Sequence, residues 1–215
     1  MGISVLVANE YPVVRSGLRT LVAATEDLAV GGESADGHAT LDMVRQRDWG
    51  LLMLDLCMRG RSGLELLKLI RAERPRLPIL VFSAQREELY ALRAIRAGAM
   101  GYLSLRSDGE TMLVAMRRVA GGRMFLSPEV TELLASHPVE SGGVLPHDRL
   151  TDREYGIFSR IVSGATLTDI ADELSLSIKT VSTHKSHILD KMTLAGQVEM
   201  VRYAIEHRLL ETVSE

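Results

Sequence analysis

Asp55 stands alone among uncharged residues in Leu51–Met58, within the stretch LLMLDLCMRG. A carboxylate beside such an apolar run is costly to bury unless it is paired or sits at the solvent edge of a strand. Its position therefore points to a task for the group. A second concentration of usable chemistry lies in Ile178–Met192, IKTVSTHKSHILDKM. Val181, Ile188 and Met192 form an apolar stripe, while Lys179, Ser182, Thr183, Lys185 and Ser186 share the other face, with His184 and His187 beside them. Three lysines (Lys179, Lys185, Lys191) against Asp190 leave a local charge of +2. Lysines suit phosphates, and small hydroxyl side chains let a helix approach base edges closely. The plainer reading of the same pattern is a solvated surface helix.

Composition narrows what these groups can belong to. A chain of 215 residues, 46% apolar, is enough for one large domain or two modest ones. No apolar run approaches the ~18 residues of a membrane span. The N-terminus, MGISVLVANEYP, has no basic segment before its apolar stretch and reads as a strand, not a signal peptide. The single cysteine, Cys57, excludes an internal disulfide framework, and no Cx2C metal knuckle is present. The expected location is cytoplasmic. With a net charge of only −3, any nucleic-acid binding has to come from a local patch.

The elements that must position these groups fall into two periodicities. In the first part, strand candidates are Ile3–Ala8, Leu28–Gly32, Leu51–Leu56, Ile79–Ser83 and Met100–Ser104. Between them, apolar residues recur at helical spacing: Val14, Leu18, Leu21 and Val22; Leu64, Leu67 and Ile70; Leu89, Leu92 and Ile95; Leu113, Met116 and Ala120. Five strands alternating with about five helices predict a doubly wound, five-stranded parallel sheet of the flavodoxin-like kind. Ligands of such sheets sit at the carboxyl ends of the strands, which is where Asp55 falls. Ser136–Leu145 is rich in Ser, Gly and Pro and reads as a linker. From Leu150 onward no strand pattern remains. Thr151 with Glu154 fits a capping box, Gly164 a stop, Thr166 a cap for Leu167–Leu174 and Ser177 a cap for Ile178–Met192, with a last helix over Ala195–Arg208. Four short helices joined by tight turns predict an all-α helix-turn-helix domain. The expected division is 1–127, a linker over 128–147, and 148–215.

At this point the run LTDREYGIFSRIVSGATLTDIADELSLSIKTVSTHKSHILDKM closely resembles the DNA-binding domain of the LuxR/NarL family. The resemblance rests on Leu150, Thr151, Arg153, Glu154, Gly164, Ile170, Ala171, Leu174, Ser177, Thr180, Val181, His184, Ile188 and Lys191 at fixed spacing. The N-terminal half looks like a response-regulator receiver. The resemblance implies a transcription regulator in which Ile178–Met192 is the recognition helix. Ser182, Thr183 and Ser186 would face base edges, and Lys179, Thr180, His184 and Lys185 would hold phosphates. Family members often carry Lys where Ser182 stands, which bears on the target sequence. Double-stranded DNA and a second copy of the chain are the expected partners, since one such domain reads only a half-site. A sensor kinase is the partner a receiver implies.

The same resemblance assigns Asp55 as phosphoacceptor, Ser83 as hydroxyl donor and Tyr102 as the aromatic switch position. Departures surround them. The family's acidic pair reads Asn9-Glu10 here, which leaves Glu10 and Asp55 as the two carboxylates for a magnesium ion and weakens its binding; no cofactor is required. The family lysine is Leu105, with Arg106 next door but one step round to the other face. Arg59 replaces a proline. Asp55 thus reads either as an acceptor or as a strand-end carboxylate bonded to a neighbouring loop. Ser83 and Tyr102 also suit ordinary packing, Cys57 reads as a small buried hydrophobe, and Trp49 as part of the core rim. The expected function is DNA-binding regulation with a degenerate, phosphorylation-independent receiver. The rivals are a regulator switched at Asp55, with Arg59 or Arg106 supplying the missing cation, and a receiver repurposed for a small ligand or partner protein. An aspartate-based phosphohydrolase is set aside, because Cys57 occupies the place of the second acid such an enzyme needs.

Overall fold

The two periodicities of the sequence become two units, Met1–Val139 and Glu140–Glu215. The structure is a computed structural model that describes residues 2–58, 63–84, 87–128, 130–132, 145–174, 176–207 and 209–210. In the first unit strands and helices alternate: β1 (Ile3–Ala8), α1 (Pro12–Ala23), β2 (Leu28–Ser34), α2 (Gly37–Gln46), β3 (Leu51–Leu54), α3 (Gly63–Glu73), β4 (Ile79–Ser83), α4 (Glu87–Arg96), β5 (Gly101–Ser104) and α5 (Gly109–Ala120). All strand pairs are parallel, in the order β2-β1-β3-β4-β5. The chain reverses direction across the sheet after β2, so the crevice at the carboxyl ends of β1 and β3 is the switch point.

Strand burial follows the apolar runs. Every residue of β3 and β4 is buried, as a strand covered on both faces requires. Val5, Val7, Leu51, Met53, Leu80, Phe82 and Leu103 pack with Leu18 and Val22 of α1 and Ala115, Met116 and Val119 of α5 into one cluster. Trp49 is buried at the rim, its Nε1 donating to the Met43 carbonyl at 2.9 Å and its ring lying 3.7 Å beneath the Arg47 guanidinium.

Differences from the expected elements have local causes. β3 stops at Leu54, not Leu56, because the Asp55 carboxylate turns back to accept the Cys57 N–H at 3.0 Å and closes an Asx turn. α2 carries no apolar stripe that the spacing alone picks out. It forms behind Asp36, whose side chain accepts from the His38 and Ala39 N–H groups. Residues 133–144, most of the expected linker, lie outside the described residues. At its start Val130 is buried and its N–H reaches Ser127 Oγ, so ordered chain continues past 127. At its end Pro146–Arg149 forms a 3-10 turn.

The second unit is built from α6 (Asp152–Val162), α7 (Leu167–Glu173), α8 (Ile178–Met192) and α9 (Gln197–Glu206). Each of the first three starts at the residue its cap predicts. Thr151 and Glu154 close a full capping box, Thr166 and Asp169 close another, and Ser177 Oγ accepts the Thr180 N–H. Gly164, at φ +94°, turns the chain out of α6, and Thr193 ends α8 in the left-handed region at φ 57°. α8 packs across both α6 and α7. Val181, Ile188 and Met192 supply its buried side, and the Arg160 fork grips Glu173 at 2.9 and 2.6 Å to tie α6 to α7.

Glu154 links caps to packing. Its Oε2 accepts from the Thr151 N–H and hydroxyl and from Lys191 Nζ at 2.6 Å, across 37 residues of chain. Burial pushes the Glu154 carboxyl upward, but the Lys191 ammonium and the Thr151 donors outweigh it and hold the group below its ordinary value of 4.5. A depressed carboxyl binds protons less readily folded than unfolded, so its stabilisation is full above that value and is lost as pH falls through and below it. Glu154→Gln should therefore flatten part of the acid limb of a stability-versus-pH curve for the second unit. An acid limb unchanged from wild type would show that the pair contributes no pH-dependent stability.

Candidate functional site

The sheet register builds the receiver pocket. Ala8 pairs with Leu54, and Leu54 with Val81, so the residues just past β1 and β3 emerge side by side next to the end of β4. Asp55 N–H donates to the Ala8 carbonyl at 2.9 Å, which fixes the carboxylate beside Asn9. Asn9 Nδ2 donates to Asp55 Oδ2 at 2.9 Å, and Ser83 Oγ donates to Asp55 Oδ1 at 2.7 Å. With the Cys57 N–H also on Oδ1, both oxygens of a side chain only 1% exposed are engaged. The Asn9 orientation is set by its other end, where Oδ1 accepts the Tyr11 N–H at 2.9 Å. A backbone N–H can only donate, so the amide must turn its nitrogen toward Asp55.

Burial raises the Asp55 carboxyl above its ordinary range, the Cys57 and Ser83 donors oppose that shift, and the Glu10 charge adds to it. Glu10 is half-buried at the edge of the site. Arg15 holds the loop that carries Asn9 and Glu10: its guanidinium donates to the Asn9 carbonyl at 2.7 Å and the Glu10 carbonyl at 3.1 Å, and pairs with Glu33 at 3.4 Å. Sequence reasoning passes over Arg15, because a lone arginine on an amphipathic helix gives no signal of what it bonds.

Leu105 keeps the face of Leu103, two residues earlier, and packs half-buried against the cluster beneath α1 and α5. Arg106 is exposed, and its N–H bonds Ser104 Oγ. Arg59 lies outside the described residues. Tyr102 is buried, and burial drives its phenol far above the ordinary range, so it stays neutral. Cys57 is half-buried, not buried as its type suggests, because the turn closed by Asp55 carries it out of the strand.

On α8, Lys179, Thr180, Ser182, Thr183 and Ser186 are all exposed on one side, as the helical spacing requires. Thr183 and Ser186 donate their hydroxyls to the Lys179 and Ser182 carbonyls one turn back, leaving oxygen lone pairs outward. Two residues differ from expectation. Lys191 is committed to Glu154, so the positive face comes down to Lys179 and Lys185. His184 Nδ1 is buried without a hydrogen-bond partner, and burial followed by the nearby Arg153 charge lowers its pKa. That nitrogen is closed to a phosphate.

Comparison with known proteins finds one family in each unit. Residues 5–117 match the response regulator receiver domain, and residues 148–204 match the bacterial regulatory proteins of the luxR family. The chain is 33% identical over 208 residues to the Fimbriae Z protein of Salmonella typhimurium, covering 96% of this chain and 98% of that one. It is 32% identical over 208 residues to the nitrate/nitrite response regulator protein NarL of Escherichia coli K12, covering 96% of both. In fold it is similar to RcsB from Salmonella enterica serovar Typhimurium bound to promoter rprA, with a TM-score of 0.63 at 22% identity over 94% of this chain and 98% of that one. A receiver sheet with its aspartate at the switch point, followed by a capped helix-turn-helix, therefore places the chain among the response regulators that join a receiver domain to a LuxR-family DNA-binding domain.

Proposed function

We propose that this protein is a sequence-specific transcription regulator whose receiver works without phosphorylation of Asp55. The observation that carries the reading is the closed hydrogen-bond set of Asp55. Asn9, Ser83 and the Cys57 N–H satisfy both oxygens, while Leu105, at the family's lysine position, is half-buried against the apolar cluster and offers no cation. Phosphoryl transfer to a carboxylate wants a divalent ion against the transferring charge and a cation on the product oxygens. The donor set suits a hard cation poorly, because Asn9 turns N–H groups and not oxygen into the pocket. Among the described residues, Glu10 and Asp55 would remain as carboxylate ligands. No step of the proposed mechanism runs through a metal.

DNA recognition would use α8, with Lys179, Thr180 and Lys185 on phosphates and Ser182, Thr183 and Ser186 toward base edges. A symmetric dimer on two half-sites is the arrangement that suits one reading helix per chain. The Salmonella RcsB structure of similar fold is of a complex with promoter rprA in the presence of phosphomimetic BeF3-, which supports the DNA-binding part of this reading.

Three outcomes are expected. The full chain should select a duplex from a random-sequence library and lose affinity steeply as salt rises. Lys179→Ala and Lys185→Ala should weaken all duplexes alike, and changes at Ser182 or Ser186 should alter preference. A flat salt response would remove the DNA assignment. Asp55→Ala should change DNA binding by less than about 1 kcal/mol without any phosphodonor, the range of substitutions outside a functional contact. Abolished regulation in cells by a folded Asp55→Ala protein would instead favour the phosphorylation-switched reading. Finally, Asn9→Asp with Leu105→Lys should raise the fraction phosphorylated by a small-molecule donor with magnesium, read by intact mass. Neither change alone should match the pair, because the two groups neutralise one phosphoryl charge together. A wild-type chain that already labels fully would show that the departures are harmless.

A further inference from the structure

We infer that Gln197 is a positioning residue for DNA binding, holding the Lys185 ammonium ready for a phosphate. The inference rests on the DNA-binding reading of α8. Gln197 is the first residue of α9 and is exposed, and its Oε1 accepts from Lys185 Nζ at 2.8 Å. Lys185 is half-buried, one turn after the buried Val181 and three residues after the exposed Ser182, so its stem lies at the edge of the packed side while its tip is held by Gln197.

An ammonium has three protons, and one bond to Gln197 leaves two for phosphate oxygens. Lysine is a flexible four-carbon chain that loses much rotamer freedom when it is fixed on binding. The Gln197 amide makes part of that loss before DNA arrives, which is how pre-organisation improves affinity. The partner's neutrality matters as much as its reach. A carboxylate at 197 would hold the ammonium equally well but cancel its charge and repel the phosphate; an amide aligns the lysine and leaves the charge whole. Lys191 illustrates the contrast, since its ammonium is given to the Glu154 carboxylate and contributes to the fold.

Because a positioning residue carries no charge, the salt dependence separates it from a phosphate contact. The test uses the full chain with a duplex that the wild type selects from a random-sequence library and a scrambled duplex of the same length. Gln197→Met keeps the length and removes the acceptor. It should weaken both duplexes about three- to tenfold, the range of one hydrogen bond, with the salt slope unchanged. Lys185→Ala should weaken binding and lower the slope by about 0.9. Adding Gln197→Met to Lys185→Ala should cost nothing more, because the residue acts only through the lysine. Gln197→Glu should lower the slope although the lysine remains. Far-ultraviolet circular dichroism and melting of each variant identify any loss of fold. An equal loss from Gln197→Met with and without Lys185, no loss in the wild-type background, or a smaller slope for Gln197→Met overturns the positioning role alone. A wild-type chain that selects no duplex overturns the DNA reading, and this inference with it.

Discussion

A carboxylate withdrawn from water has to be met by donors, and the end of the receiver sheet is arranged around that requirement. Asp55 lies where three parallel strands finish together. The register of β1 against β3 brings Asn9 to one oxygen, the neighbouring β4 brings Ser83 to the other, and the turn after β3 adds the Cys57 N–H. Each donor comes from a different part of the chain, so the site exists only when the sheet has its native order. α3 approaches so closely that a Cβ at Gly63 would run into the backbone of Leu56. The start of α3 thus lies directly against Leu56. A metal ion is one way to meet a buried carboxylate; the Asn9 amide is another.

The sequence carries the element list well, because each element announces itself locally. Caps at Thr151, Thr166 and Ser177 and continuous apolar runs at β3 and β4 are short-range signals, and they coincide with the structure. Asp55 can likewise be named from the end of its strand, whereas Asn9 and Ser83 are named only through the family resemblance. What the chain does not reveal is direction. Whether Asn9 presents oxygen or nitrogen depends on the Tyr11 N–H behind it, and whether His184 faces outward depends on α6, some thirty residues away in sequence. The charge of α8 is overcounted for the same reason: Lys191 belongs to a pair with Glu154 that no local pattern contains.

The second unit meets a different constraint. Between 148 and 215, eleven Asp and Glu residues outnumber eight Lys and Arg residues, so attraction to DNA has to be local, not global. The structure separates the charges by use. Glu154, Glu173 and Asp169 are occupied with Lys191, Arg160 and the Thr166 cap, inside the scaffold that holds α8. Lys179 is left on the exposed side with the hydroxyl residues, and Lys185 at its half-buried edge. Few cations acting from a rigid helix make each one matter more, which is why the fixing of a single lysine tip has weight.

Leu105 belongs to the same apolar face as Leu103 and rests against the cluster under α1 and α5. A leucine half-buried against a core is a different kind of change from a charge merely deleted. Its side chain covers apolar surface, whereas a lysine there would lay its methylene stem on the same surface and carry a charge beyond it. One position thus sets both how much of the cluster is covered and whether the end of β5 carries a cation.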